Sequence, residues 1–375
     1  MNHVRGDVLK DNSLILKENN LLKSLFNLDN TFGVSGDEEE VAEVLRAEME
    51  GLYDTFEEDA LGSQYFIKQG KNKDKRVLIS AHMDEIGYII NYIEDNGLAR
   101  FLPVGYHDDR TAVNQDMVIK TGSGKKVYGV TGSKPAHIMT DEDHEKVIKI
   151  EELYLDLGTE SREETLALGV RPGDYVGFNR EGYILNGGKY YTGKSLDDRA
   201  GCAVMVEVLR RLEGKDIEPT VCMVGSVMEE VGIRSGGPMV NRFDPELMLA
   251  LDVTLTGGTP GVEERQCSQV MGGGPGIKFY DWDPILGATG NNVPRKLTRR
   301  LIDTAESNGI PFQREVMTGG GTDAWSSSMA GKGVLAGGVC IPQRYLHTAV
   351  GTVNMEDLEH TVQLVVKFLE NYETL

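Results

Sequence analysis

The sequence predicts an α/β fold interrupted by a small β-rich insertion. Three observations carry this. Short apolar runs that stop at an acid or a histidine alternate with segments of helical apolar spacing. From about residue 94 to 188 the texture changes to short strand-like pieces between Gly, Asp and Asn turns. At Tyr190 the α/β texture resumes. The α/β part thus spans 1–93 and 189–375, with the insertion at 94–188.

The elements follow in order. Leu14, Leu21, Leu22, Leu25 and Phe26 share the face of a helix over 14–28. Ser35 with Glu38 reads as a capping box for a helix through Val41, Leu45 and Met49. Residues 53–56 and 63–68 read as strands, and 71–75 as a charged turn. VLISA (77–81) is a buried strand ending at His82, with Asp84 two residues on, on the same side of extended chain. A second apolar run covers 88–93. KSLDDR (194–199) opens a helix along Cys202, Met205, Val206, Leu209 and Leu212, with Asp197 and Asp198 where a helix N-terminus favours anions. The apolar run from Val221 stops at Glu229 and Glu230, and LMLAL (247–251) stops at Asp252. A helix over 293–308, strands over 312–316 and 334–341, the GGGTD loop (319–323) and a helix capped by Asn354 complete the chain.

Composition bounds the function. Acidic side chains number 59 against 39 basic ones, a formal net charge of −20. With no basic patch, a nucleic-acid groove and an anionic membrane surface are excluded as expectations. No run approaches the roughly 18 apolar residues of a membrane span, and MNHVRGDVLKDNS has no secretory core. Cys202, Cys222, Cys267 and Cys340 are scattered, without a CxxC pair. Cys202 and Cys222 in apolar runs read as buried thiols of a reducing compartment, so the expected location is cytoplasmic.

Five segments share one grammar: His82 with Asp84, Asp197, Glu229 with Glu230, Asp252, and His347 each stand near a strand end or helix start. Parallel strands bring such ends to one edge of the sheet. Each residue alone has a plainer reading, His82 as a core histidine and Asp197 as a helix cap. Together, two histidines and three carboxylates form a ligand set for two divalent ions sharing a bridging carboxylate. Mixed N/O ligation suits Zn²⁺, with Mn²⁺ as an alternative.

AHMDEIGY (81–88), KSLDDRAG (194–201), EEVGIRSGG (229–237), ALDVT (250–254), GGTDA (320–324) and RYLHTAVG (344–351) carry a family resemblance. GVTGSKPAHIM (129–139) and LGVRPGDYVGF (168–178) extend it over nearly the whole chain. The sequence resembles the tetrahedral-shell (TET) metalloaminopeptidases, which include glutamyl and deblocking aminopeptidases and endoglucanase-like proteins. The resemblance implies a zinc-exopeptidase three-layer α/β/α domain with an inserted small PDZ-like β-barrel. It also implies peptide substrates and a homo-oligomer, a hollow dodecamer, with a dimer equally compatible. By matching motif, His82, Asp197 and Asp252 hold one ion, and Asp197, Glu230 and His347 the other. Glu229 is then the general base, and Asp84 orients His82. Zn²⁺ is the leading ion, with Co²⁺ or Mn²⁺ as alternatives. Asp323 is a further candidate for meeting the substrate amino group. The chain departs from the family pattern at Met228, usually Gln, and at the RSGG turn (234–237). These positions touch no expected ligand and bear on substrate preference. The competing readings are a metallo-amidohydrolase or carboxypeptidase of the same wider group, a glucanase, and a non-catalytic scaffold.

Overall fold

The computed structural model describes residues 19–283 and 290–373. Leu14 of the expected first helix lies outside them; the helix seen is Asn20–Asp29, capped by the Asn19 side chain on the Leu22 N–H at 3.0 Å.

One large mixed sheet organises the molecule. Its strands run, in spatial order, Thr55–Glu58, Gln64–Lys68, Pro219–Ser226, Asn72–His82, Leu247–Leu255, Leu335–Arg344, Gly351–Asn354, Tyr190–Gly193 and Tyr183–Leu185. Gly276–Tyr280 and Gln313–Val316 branch from Leu335–Arg344. The four strands from Pro219–Ser226 to Leu335–Arg344 are mutually parallel, and Ser226 lies opposite His82. Their carboxyl ends therefore share one edge.

Period-two alternation sorts the side chains of these strands onto two faces. Val77, Ile79, Val221, Met223, Leu249 and Leu251 pack with Leu25, Leu45, Met205, Leu301 and Val362 from helices on one side. Leu78, Cys222, Val224, Met248 and Ala250 pack with Met239, Phe243 and Ala324 on the other. The helices there are Gly236–Phe243 and Asp323–Ser328. A sheet buried on both faces explains why Pro219–Ser226 is buried at every position and reads as an unbroken apolar run. Each fully buried Leu, Val or Met contributes roughly 1.5–3 kcal/mol.

Gly87–Ile93, Ala99–Val104, Leu155–Asp156, Lys126–Thr131, Asp116–Lys120 and Tyr175–Phe178 close into a separate barrel. Tyr88, Ile90, Phe101, Ile119, Val176 and Phe178 fill it, and closure leaves no unpaired edge. Both limits of the β-rich stretch differ from the expected 94 and 188. Gly87–Ile93 already belongs to the barrel, whereas Tyr183–Leu185 pairs with Tyr190–Gly193 in the large sheet. An apolar run records burial and not which sheet buries it.

Two smaller expectations are corrected. The charged stretch 71–75 is not a turn: the strand Asn72–His82 starts there with exposed or half-buried side chains. Ser35 and Glu38 form no capping box; Glu38 precedes the helix Glu39–Met49 without capping it, and both side chains reach other partners. All four cysteines are buried free thiols. Among the described residues, no helix is long and apolar enough to cross a membrane.

Candidate metal centre and active site

The carboxyl edge of the parallel strands gathers all seven expected residues. His82 ends its strand, Asp252 sits in Leu247–Leu255, Glu229 and Glu230 follow Ser226, and His347 follows Arg344. Asp197 comes from the start of the helix Leu196–Arg211. The first turn of that helix is not helical at Asp197 and Asp198. Asp198 takes the capping task, its Oδ1 accepting the Gly201 N–H at 2.9 Å. Asp197 is thereby left free to face the histidines.

Two groups of ligand atoms result, His82–Asp197–Asp252 and Asp197–Glu230–His347, with all atoms of each group within 4.8 Å of one another. Asp197 belongs to both. Its Oδ1 is 2.9 Å from His82 Nε2, and its Oδ2 is 3.2 Å from His347 Nε2. His347 Nε2 also lies 3.4 Å from Glu230 Oε2, and His82 Nε2 lies 3.9 Å from Asp252 Oδ1.

The outer nitrogens of the two rings settle which nitrogen is offered to the centre. His82 Nδ1 is 3.0 Å from the Asp84 carbonyl, and His347 Nδ1 is 2.7 Å from the Tyr106 carbonyl. A carbonyl only accepts, so each Nδ1 keeps a proton and each ring turns Nε2 to the carboxylates; with Nε2 deprotonated, the ring would present a lone pair there. That is the ligand form of imidazole, with the outer nitrogen held as metal-binding histidines hold it. Glu230 Oε1 is buried without a hydrogen-bond partner. These donors fit divalent cations of the N/O-binding kind.

Electrostatics point the same way. Asp84, Asp197, Asp198, Glu229, Glu230 and Asp252 crowd around two histidines. Burial pushes the Glu230 carboxyl up to about 7; His347 opposes this and Asp197 adds to it. Burial likewise drives Glu229 and Asp252 well above the usual range, against the pull of His82. Burial would lower His347, but Glu230 and Asp197 outweigh it and raise the ring to about 10. So much buried negative charge favours a cation in place of a proton.

Asp84 is the keystone of the glutamate turn. Its Oδ1 accepts the Glu229 N–H at 3.0 Å and its Oδ2 the Glu230 N–H at 3.1 Å. Ser35 Oγ–H donates to the same carboxylate. Glu38 Oε1 accepts the Met228 N–H at 3.1 Å, just where Met228 adopts φ +56°. Beneath, Arg199 is fully buried and donates to the Met83, Leu28 and Thr31 carbonyls, while Lys194 pairs with Glu85 at 2.6 Å. These buried charges clamp the KSLDDR segment onto the loop that carries Asp84.

A cavity of about 370 Å³ opens on the centre, and Glu229 lines it without belonging to either ligand group. Asp323 does not line it; this buried carboxylate accepts Ser226 Oγ–H at 2.6 Å. Ser35, Glu38 and Tyr106 are the supporting residues that sequence reasoning missed. Ser35 and Glu38 carried a capping signal instead, and Tyr106 acts through a backbone carbonyl that leaves no side-chain signal. A larger cavity, about 440 Å³, borders Asp37, Glu39 and Glu58 and holds none of the seven residues, so donor chemistry and not size marks the site.

Comparison with known proteins agrees with this geometry. A family model described as M42 glutamyl aminopeptidase matches residues 62–364. An aminopeptidase structure from Desulfurococcus kamchatkensis superposes with a TM-score of 0.88 at 34% identity, covering 94% of this chain and 95% of that one. The Pyrococcus horikoshii TET1 peptidase, described as assembling into a tetrahedron or a large octahedral shell, gives 0.81 at 32%, covering 94% and 99%. A glutamyl aminopeptidase of Lactococcus lactis subsp. cremoris is 29% identical over 90% of this chain and 91% of its own. A lysyl aminopeptidase of Pyrococcus furiosus is 30% identical over 84% and 87%.

Proposed function

This chain belongs to the M42 glutamyl aminopeptidase family of peptide hydrolases, and from that premise we propose that it removes residues from the free N-terminus of peptides using two divalent ions. The observation that carries the reading is the pair of ligand groups sharing Asp197. His82 and Asp252 complete one site with Asp197; Glu230 and His347 complete the other. Zn²⁺ suits the N/O donor set best, with Co²⁺ or Mn²⁺ as alternatives. Such ions, when bound, supply Lewis acidity and bring the pKa of water towards neutrality.

The remaining work falls to the chain. Glu229 stands in the cavity wall outside both ligand groups, where a carboxylate takes a proton from water and returns it to the leaving amine. Asp84 fixes the backbone of Glu229 and Glu230 together, so base and ligand keep their spacing. Carboxylates dominate the charged lining and suit a protonated α-amino group. The barrel supplies the Tyr106 carbonyl that holds His347; as a unit it serves oligomerisation or substrate access. For assembly we take a homo-oligomer, a dodecamer or a dimer; a relative is described as a dodecamer and as a tetrahedron or large octahedral shell. The cytoplasm is the proposed location.

The test uses one peptide with free ends, its N-acetylated form and its C-amidated form. Acetylation should abolish cleavage and amidation should leave it intact. Release of C-terminal residues from the acetylated peptide would instead support a carboxypeptidase or amidohydrolase.

A further inference from the structure

The wall of the active-site cavity away from the ligand groups is apolar. Ile233, Val253, Leu255, Met317 and Leu346 form it, continuous with the ligand carboxylates. The loop Gly319–Gly321 backs this wall and is shaped around it. A Cβ on Gly320 would stand 2.8 Å from Met317 Cε, and one on Gly321 3.1 Å from Ile233 Cδ1. Thr254 also lines the cavity, yet its hydroxyl donates to Glu315 Oε1 at 2.9 Å.

Among the described residues, no lysine or arginine lines this cavity. Arg234 lies outside the lining, with its Nε on the Val231 carbonyl, and Lys278 is fully buried at 2.7 Å from Glu315. An acidic side chain packed on this wall would lose its water shell with no lysine or arginine to meet it. Asp283 also lines the cavity and carries an interaction of its own. A lysine ammonium, like a carboxylate, would have to give up water against the apolar wall.

Resting on the aminopeptidase reading, we propose that this enzyme selects peptides whose N-terminal residue has a medium or large uncharged apolar side chain, such as Leu or Met. Glutamyl and lysyl preferences, which two relatives carry in their names, do not extend to this chain.

The experiment is a panel of aminoacyl p-nitroanilides (Leu, Met, Phe, Ala, Glu, Lys) with the metal-loaded protein. The kcat/KM for Leu and Met should exceed that for Glu and for Lys at least about tenfold. Met317→Lys should narrow the Leu-to-Glu ratio by about tenfold or more. Gly320→Ala, which only presses on Met317, should lower Phe and Leu relative to Ala. A panel led by Glu or by Lys would overturn the inference. No turnover on the whole panel would count against the aminopeptidase reading itself. The pocket is then judged by calorimetry, where L-leucine must bind the metal-loaded protein at least about tenfold tighter than L-glutamate. Equal or reversed affinities would overturn the assignment.

Discussion

Replacing Asp84 by Asn should cripple the enzyme while leaving every expected ligand in place. The carboxylate is fully buried, and its two oxygens accept the N–H groups of Glu229 and Glu230 and the Ser35 hydroxyl. Oδ1 also lies 3.5 Å from His82 Nδ1. Asn keeps the shape but has one acceptor oxygen. Whichever way the amide sits, its NH₂ faces a glutamate N–H, donor to donor. Losing at least one charge-assisted buried hydrogen bond, at about 1.5–3 kcal/mol each, and leaving that N–H unsatisfied should cost roughly 2–4 kcal/mol of stability. The turn carrying Glu229 and Glu230 must shift, so metal affinity and kcat should each fall by about 10–100-fold, with KM little changed. Ser35→Ala is the graded control: it removes one donor from a carboxylate still holding two, and should cost about 1 kcal/mol. Urea unfolding, metal analysis and steady-state kinetics on the three proteins decide the matter. An Asp84→Asn protein with wild-type kcat, metal content and unfolding free energy would refute this role.

Three further outcomes follow from the same structure. Glu229→Gln should keep its metal and lose about 10²–10⁴-fold in turnover, since only proton transfer is removed; a fully metallated variant with near-normal hydrolysis would rule out the base assignment. Gly33→Ala would place a Cβ 2.5 Å from Arg199 Nη2 and 2.6 Å from Val41 Cγ1, and should destabilise by roughly 1–3 kcal/mol in thermal unfolding; an unchanged midpoint would contradict the tight packing around Arg199. His107 is half-buried against Tyr88, and desolvation depresses its pKa from 6.5 to about 4 although the Val104 and Gly87 carbonyls oppose it. The unfolded chain then binds the extra proton first as pH falls, so stability is full above about 6.5 and is lost towards about 4. The gap corresponds to about 3 kcal/mol. His107→Gln should flatten that part of the pH–stability curve, measured on chelated protein to keep metal release out; equal slopes in the two proteins would contradict it.

The parallel core and its edge were legible because burial on both faces writes unbroken apolar runs such as 221–225 and 247–251, and a polar residue that ends such a run stands out. His82 and Asp252 stood out in that way, whereas the grouping of the ligands into two sets came from the family motifs. The division between Asp197 and Asp198 came from the family motif and not from the residues themselves: adjacent aspartates at a helix start look alike, and the backbone geometry supplies the physical reason, with Asp198 capping Gly201 while Asp197 faces both histidines. Ser35 and Glu38 had the right spacing for a capping box, but Asp84 and the Met228 N–H compete for them and win. Tyr106 holds His347 through a carbonyl, which any residue could supply. The apolar wall was hidden because Ile233, Met317 and Leu346 come from three separate loops, and chain order says nothing about their convergence.

Metal stoichiometry is the most direct measure of the shared-ligand centre. The wild-type protein, freed of metal by chelation and titrated with Zn²⁺ under calorimetry, should take up two equivalents per chain, with hydrolysis returning as the ions bind. Asp197→Asn should lose both tight sites together, because each ligand group includes Asp197. A variant that still binds two ions tightly, or a wild-type protein that binds none and still cleaves peptides, would contradict the account.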